Sequence, residues 1–405
     1  IFYRATICVM AMCLSCATPT IAPPSAKDEE APITFESLLR EMCDPASLAR
    51  WPRPEFVSKQ ASSYDRLSKT PADPNNWFAN TDNMDGMRDA LKWEDRGDRK
   101  ECLLMEADGP GAIVRFWSGG HDPKGKVRFY LDGAEAPVIE APMFDLMRGA
   151  AFVSAPLAAM NSGKALNLYL PVPYAKKCRI TYDEGAPPAA PPGRWFNIEY
   201  RAYPAGTKVD SFTMQNFEAL SLLVSDIAGK LATPPDGGGN IVAELKQTVP
   251  AGKEASVSLP KGGMAVRQLT LNLNVPAADT EASLRGVILR ARFDGRETIL
   301  CPVGDFFGTG PGLHELKSWA RTVDTNGTMT CRWIMPYRSS AEITLLNTGS
   351  NDVPVRLSVA ADKWDWDARS MHFHCTWRSQ DGIRTRPFSD WNYLDAKGRG
   401  VYVGD

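Results

Sequence analysis

The chain has 405 residues, more than one hydrophobic core usually covers, so two folded units with connecting elements are expected. Hydrophobic residues make up 43% and charged residues 23%, an ordinary globular balance that excludes wholesale disorder and a multi-span membrane protein. With 46 basic against 48 acidic residues, a net charge of −2 and no basic run, there is no electrostatic footprint for a phosphate backbone, and no nucleic-acid partner is expected.

At the N-terminus Arg4 precedes a largely apolar run from Ala5 to Ala17, followed by a Pro-rich stretch from Thr18 to Pro32. The run is too short to span a bilayer comfortably, and Ser15-Cys16-Ala17 offers the small residues that signal peptidase prefers. Residues 1–33 therefore read as a signal peptide and linker, which implies an exported protein of a bacterium, periplasmic or extracellular. Leu14-Ser15-Cys16 loosely suggests a lipid anchor and hence an outer-surface lipoprotein as a further form of export. The first residue is Ile1 and not Met, which reads as a lost start or a fragment.

Cys8, Cys13 and Cys16 fall in this leader. Cys43, Cys102, Cys178, Cys301, Cys331 and Cys375 are scattered without a CxxC pair, which argues against a zinc site and against a small disulfide scaffold. Buried thiols are expected, with one or two bridges permitted by export; spacing does not give their connectivity.

Along the mature chain, Thr34 is placed to cap a short helix whose Phe35, Leu38, Leu39 and Met42 share one face. Strands follow. Val127, Phe129 and Leu131 alternate with polar neighbours and run into Asp132-Gly133, a hairpin turn in which Gly accepts positive φ. The stretch Gly185 to Gly193 reads as an exposed loop. Ser211 or Thr213 starts a second helix, with Phe217, Leu220, Val224, Ile227 and Leu231 aligned, which ends at Pro234-Pro235 before Gly237-Gly238-Gly239. Leu269, Leu271, Leu273 and Val275 alternate again beyond it.

The chain then repeats itself. Val127 to Glu135, Pro142, Asp145, Pro173-Tyr174 and Ile180-Thr181 recur as Leu289 to Glu297, Pro302, Asp305, Pro336-Tyr337 and Ile343-Thr344. The offset is 162 residues between Asp132 and Asp294 and 163 between Pro173 and Pro336, an agreement over separated anchors that marks a duplication. Many short strands between Gly, Pro and Asp turns make each copy an antiparallel sandwich. The expected fold is all-β: two tandem jelly-roll β-sandwiches with a few short helices, spanning residues 34–235 and 236–405.

Ser62-Ser63-Tyr64-Asp65-Arg66, Gly109-Pro110-Gly111 leading into Ile113-Val114-Arg115-Phe116-Trp117, and Pro302-Val303-Gly304-Asp305-Phe306-Phe307-Gly308 together resemble one family, glycoside hydrolase family 172, formerly domain of unknown function 2961. Met335-Pro336-Tyr337-Arg338, Met371-His372-Phe373-His374 and Gly398 to Asp405 extend the resemblance over roughly Phe35 to Asp405. It implies a double jelly roll, assembly into homotrimers or multiples of them, and retaining hydrolysis of α-D-fructofuranosides or D-arabinofuranosides in an oligo- or polysaccharide substrate. Two glutamates about 5 Å apart serve as nucleophile and acid/base in such a reaction. In the family they follow the Val-Gly-Asp motif, here Val403-Gly404-Asp405, so the catalytic pair is expected beyond Asp405 and the chain is expected to be a C-terminally truncated, inactive fragment.

Within the chain, Asp65, Arg66, Trp77 and Asp82, beside Asn80 and Asp85, combine groups that fork sugar hydroxyls with an indole that stacks on a sugar's C–H face. The structural alternative is a polar loop in which Asp65 and Arg66 pin the backbone. His372 and His374 are two apart on an expected strand and point the same way; with no third ligand in sequence no metal is called for, and they are either packed structurally or hydrogen-bonded and substrate-facing, with His374 the candidate sugar contact. Trp364, Trp366, Phe373, Trp377, Trp391 and Tyr393 form an aromatic region, either core packing or a sugar-stacking wall to which Trp377 and Trp391 belong. Asp305 and Asp145, matched between the copies, read as turn-forming aspartates with apolar anchors, Phe307 bordering the pocket. No GxSxG, GxGxxG or Walker pattern appears, so neither acyl transfer nor nucleotide chemistry is supported and no cofactor is expected. A non-catalytic glycan-binding or ring-forming jelly-roll scaffold stands as the alternative to the enzyme.

Overall fold

The computed structural model describes residues 5–13, 31–78, 92–120, 124–161, 165–183 and 194–405. Asp82 and the insert at 185–193 lie outside them. The chain forms two compact units: Pro24–Cys43 with Arg53–Ala232, and Ile1–Pro23 with Asp44–Pro52 and Thr233–Asp405. Both are all-β jelly-roll sandwiches carrying a few short helices.

In the N-terminal unit one sheet runs in the order Trp93–Asp95, Lys100–Asp108, Lys177–Asp183, Lys126–Leu131, Ile139–Pro142. The facing sheet runs Val57–Ser62, Arg194–Ala202, Gly111–Gly120, Leu166–Leu168, Ala158–Met160. Val127, Phe129 and Leu131 are buried as their alternation requires, and they join Phe116, Tyr174, Tyr182 and Phe196 in one core. Cys102 and Cys178 lie in that core, where burial pushes the Cys102 thiol up to about 12 and the Cys178 thiol up as well.

The Phe35–Glu41 helix starts where expected. Thr34 Oγ1 accepts from the Ser37 N–H at 3.0 Å while Ser37 Oγ accepts from the Thr34 N–H at 2.9 Å, a reciprocal cap. Its Phe35 meets Phe212 edge-on at 5.1 Å. The second helical region is two pieces: Thr213 caps Met214–Ala219, and Ser221–Leu231 follows after a break at Leu220.

In the C-terminal unit one sheet runs Asn240–Val249, Val353–Lys363, Met264–Leu273, Met329–Cys331, Arg321–Val323, Leu316–Lys317. The other runs Glu254–Ser258, Ala341–Asn347, Val287–Phe293, Arg296–Pro302, His372–Gln380, Ala5–Cys13, Gly400–Gly404. Its first four strands repeat the order of the first copy's Lys100–Asp108, Lys177–Asp183, Lys126–Leu131 and Ile139–Pro142. His372–Gln380 is then added in parallel to Arg296–Pro302. The run Ala5–Cys13, read in sequence as leader, pairs antiparallel with both His372–Gln380 and Gly400–Gly404. A nine-residue apolar run suits a strand as well as a leader core.

Residues Asp44–Pro52 belong to this C-terminal unit although they lie early in the chain. Ala49 is fully buried in its core and Trp51 packs against it. Arg50 pairs with Asp367 at 2.7 Å, and the Trp51 N–H donates to the Arg369 carbonyl at 2.6 Å.

The duplicated turns share their backbone form, as a two-residue hairpin at Asp294-Gly295 and as the opening of a longer loop, residues 132–138, at Asp132-Gly133. Asp132 has φ 56° and Gly133 φ 84°, and Asp294 has φ 52° and Gly295 φ 79°, so both central residues, and not only Gly, occupy the left-handed region. Asp132 Oδ1 accepts from the N–H groups of Lys176 and Lys177 at 2.6 and 3.2 Å, and the Asp294 carboxylate from those of Arg338, Ser339 and Ser340 at 2.8, 2.7 and 3.1 Å. Each aspartate thereby ties its hairpin to the start of the next strand of the sheet.

Candidate functional site

In the C-terminal unit, the strand Arg296–Pro302 runs into a helical turn, Val303–Phe307, closed by Gly308 at φ 90°. This turn touches the helix Thr280–Gly286 and the strands Arg321–Val323 and Met329–Cys331. Gly304 is what lets it approach: a Cβ there would run into the Gly310 carbonyl oxygen and come within 3.1 Å of Leu284 Cβ. The first copy builds the same turn, Met143–Arg148, closed by Gly149 at φ 86°, but holds Phe144 at the matching place.

The matched aspartates differ in environment. Asp145 is 43% exposed and pairs along its own helix with Arg148 at 2.8 Å. Asp305 is 8% exposed and accepts from Arg285 Nη1 at 2.8 Å. The Arg285 guanidinium lies 5.4 Å from the Trp377 ring centroid, and Arg321 Nη1 donates to the Phe306 carbonyl at 3.4 Å.

Unpaired buried donors lie in the same unit as this turn. Arg321 Nε, Arg332 Nε, Trp333 Nε1 and Trp377 Nε1 are buried with no hydrogen-bond partner among the described residues. A buried donor left unpaired costs about 1–3 kcal/mol, so oxygen atoms supplied by a ligand would be stabilised there. Burial also draws the Arg332 guanidinium below its ordinary value. Of these groups, sequence reasoning named only Trp377. Asp305 reads in sequence as a turn-former, and Arg285, Arg321, Arg332 and Trp333 are not singled out by it; the legible signal is the replacement of Phe144 by Gly304 between two otherwise matched turns.

His372 and His374 share one face of their strand, as their spacing requires. His372 Nε2 hydrogen-bonds Asp294 Oδ2 at 2.8 Å, and its ring lies 4.8 Å from that of Trp366. Burial, with His372 and Arg296 nearby, pushes His374 down to about 4, so its imidazole is neutral at neutral pH. Trp377 stands an odd number of residues away and packs on the core, as does Phe373, which stacks on Trp333 at 6.3 Å. His374 and Trp377 therefore face opposite sides of the strand, and of the aromatic region Trp364, Trp366, Phe373 and Trp377 pack in or against the core. Trp391 lies in the segment after the strand. Its Nε1 donates to Gln380 Oε1 at 2.9 Å, Tyr393 meets it edge-on at 5.8 Å, and the Arg378 guanidinium lies 4.7 Å over its ring.

Asp65, Arg66 and Trp77 belong to the N-terminal unit. Asp65 is buried, and its Oδ1 accepts from the Leu67 N–H at 2.9 Å. Arg66 donates to the Ser62 carbonyl at 2.7 Å and stacks on the exposed Tyr64 ring at 3.8 Å. Ser63 exchanges two hydrogen bonds of 3.1 Å with the backbone of Phe196. Trp77 ends the helical turn Pro74–Trp77, its carbonyl accepting from Ser68 Oγ at 3.0 Å. Both the Asp65 and Arg66 side chains thus brace backbone, and the Tyr64–Arg66 stack presents a flat cationic surface.

Comparison with known proteins adds a family. A model described as the GH172 first beta-sandwich domain matches residues 54–220, and one described as GH172 domain-like matches residues 239–357. No curated protein matches the chain. Among solved structures, the major capsid protein of bacteriophage PM2 is similar at 11% identity over 68% of this chain and 96% of that one, with a TM-score of 0.20. A conserved protein of unknown function from Pseudomonas aeruginosa PAO1 is similar at 11% identity over 69% and 98%, with a TM-score of 0.14. A chain from an archaeal virus with a triple jelly-roll fold is similar at 11% identity over 64% and 55%, with a TM-score of 0.19.

Proposed function

Because this chain belongs to the glycoside hydrolase 172 family, we propose that it is part of an exported, retaining furanosidase that acts on α-linked D-fructofuranosyl or D-arabinofuranosyl units of an oligo- or polysaccharide. The observation that carries the reading is the pair of family matches, one on each sandwich. Unpaired donors in the same unit support it: a furanoside bears several hydroxyl oxygens able to accept from Arg321, Arg332, Trp333 and Trp377. Asp305, held by Arg285, and the indole of Trp377 fit the usual mixture of a carboxylate and an aromatic surface in sugar sites. Asp65, Arg66, Trp77, Asp82, His374 and Trp391 are proposed as further sugar contacts. A homotrimer, or a multiple of one, is the proposed assembly, and a bacterial cell envelope or its exterior the proposed location.

In the proposed reaction one glutamate attacks the anomeric carbon and a second protonates the departing oxygen, then returns as base to activate water against the glycosyl-enzyme. Both are placed after Asp405. Residues 1–405 then hold and orient the sugar without supplying the reacting carboxylates.

The test compares residues 1–405 with the chain extended through its natural reading frame, on p-nitrophenyl α-D-fructofuranoside and D-arabinofuranoside. Turnover by the extended chain, with binding but no turnover by residues 1–405, is expected. Turnover by residues 1–405 would place the carboxylates inside them; binding without turnover by both would favour a glycan-binding scaffold.

A further inference from the structure

The N-terminal unit carries a polar concavity formed by none of the groups assigned above. A surface cavity of about 100 Å3 is lined by Arg96, Tyr130, Lys177 and Arg179 together with the turn Gly133–Glu135. The guanidinium groups of Arg96 and Arg179 each lie 5.4 Å from the centroid of the Tyr130 ring. That volume is about three times the share of one liquid water molecule, enough for a carboxylate and its first waters.

The cations are anchored from behind. Glu94 accepts from Arg96 at 3.0 Å and from Arg179, Glu101 lies 3.7 Å from Arg96 Nε, and Glu106 pairs with Lys177 at 2.6 Å. Glu101 is itself fully buried, held by Tyr130, Thr181 and Arg99. None of these carboxylates lines the cavity; Glu135, exposed at its rim, is the one acid that does. Arg96 Nε is buried without a hydrogen-bond partner among the described residues. Three cationic side chains held fixed around one cavity suit an acceptor there, and a charged acceptor most strongly.

The duplication shows that the fold does not require this set. Tyr130, Lys177 and Arg179 match Arg292, Ser340 and Glu342 in the second copy, while the framework residues Arg128 and Thr181 match Arg290 and Thr344. The pairing is equivalent: Arg179 stands opposite Tyr130 and Glu342 opposite Arg292. Shared architecture with exchanged chemistry separates a site from a scaffold.

We infer that this cavity is an oxyanion site that takes the carboxylate of an acidic sugar unit, with Arg96 and Arg179 donating to the carboxylate, Lys177 adding charge and Tyr130 forming the floor. The choice of a sugar acid rests on the carbohydrate reading above, but the site makes no use of the hydrolytic groups, so its failure would leave the proposed reaction standing. The full chain is titrated calorimetrically with trigalacturonate, with a neutral galactose oligosaccharide and with inorganic phosphate. Trigalacturonate is expected to bind, at least tenfold more weakly in Arg179→Met and about threefold more tightly in Glu135→Gln, while the neutral sugar does not bind. Glu135 is exposed, so Glu135→Gln remains informative if Arg179→Met misfolds. No binding of trigalacturonate, binding indifferent to Glu135→Gln, equal binding of the neutral sugar, or binding of phosphate alone would each overturn the inference.

Discussion

Among the described residues, Asp132 and Asp294 are the two non-glycine residues with positive φ, and they stand at the same place in the two copies of the repeat. Each carboxylate accepts backbone N–H groups from the following strand, and each has one partner special to its copy, Ser211 for Asp132 and His372 for Asp294. Burial alone would push the Asp294 carboxyl up, but the N–H of Arg338, His372 and Ser339 together hold it well below the usual carboxylate range. Asp294→Ala is expected to destabilise the protein by about 3 kcal/mol, since it strands those donors and places a Cβ residue of low left-handed tolerance at φ 52°. Asp294→Asn, which tolerates that φ and keeps one acceptor oxygen, should cost about 1 kcal/mol. Urea unfolding of the two variants decides; equal losses would mean the carboxylate staple is unimportant.

Gly304→Ala should destabilise by about 1–3 kcal/mol, because the new methyl meets the Gly310 carbonyl and Leu284. The helical turn would be displaced from Arg285 and Arg321, so furanoside affinity should fall as well. An unchanged thermal midpoint and unchanged affinity would contradict the close approach described for this turn.

His374 gives stability a pH dependence of definite sign. Its folded value, about 4, lies below the ordinary 6.5, so between these values the unfolded chain binds a proton that the folded chain refuses. Stability is expected to fall as pH drops from about 6.5 towards 4, by at most about 1.4 kcal/mol per pH unit from this group. His374→Gln should flatten that portion of a stability-versus-pH curve measured by chemical denaturation. A curve of the same slope would assign the dependence to other groups.

Glu101→Gln should be among the more costly polar substitutions. Burial would push the Glu101 carboxyl up, but the hydroxyls of Thr181 and Tyr130 and the guanidinium of Arg99 hold it below its usual range. Neutralising it leaves Arg99 and Arg128 facing an uncharged amide in a buried setting, a loss of about 3–5 kcal/mol. A loss under about 1 kcal/mol in guanidinium unfolding would show that water already screens the cluster.

Features with a local code were legible in the sequence. Val127, Phe129 and Leu131 announce their strand by alternation, Thr34 its helix by the cap, and the 162-residue offset of the Asp-Gly turns the two-unit plan. The pairing of Arg285 with Asp305 was not legible, because nothing local indicates that a helix and a turn 20 residues apart fold back to form a partly buried ion pair. Nor does sequence spacing show that Trp333 and Trp377, on separate elements, each bury an indole N–H without a partner. Strand parity already puts His374 and Trp377 on opposite faces of their strand. The pairing of Ala5–Cys13 depends on strands more than 350 residues away and has no signature beyond apolarity.

Residues Asp44–Pro52 set a condition on how this molecule is made. They leave the ribosome about 190 residues before Asn240–Val249, with which the main run of the unit they complete begins, so Ala49 and Trp51 wait, unburied by their own core, while the N-terminal sandwich assembles on both sides of them in the chain. A gene cut to begin at Thr233 would encode a sandwich with a hole where Ala49 and Trp51 belong. Duplication created two similar halves, and this early segment has made the later half dependent on the earlier one for its completion.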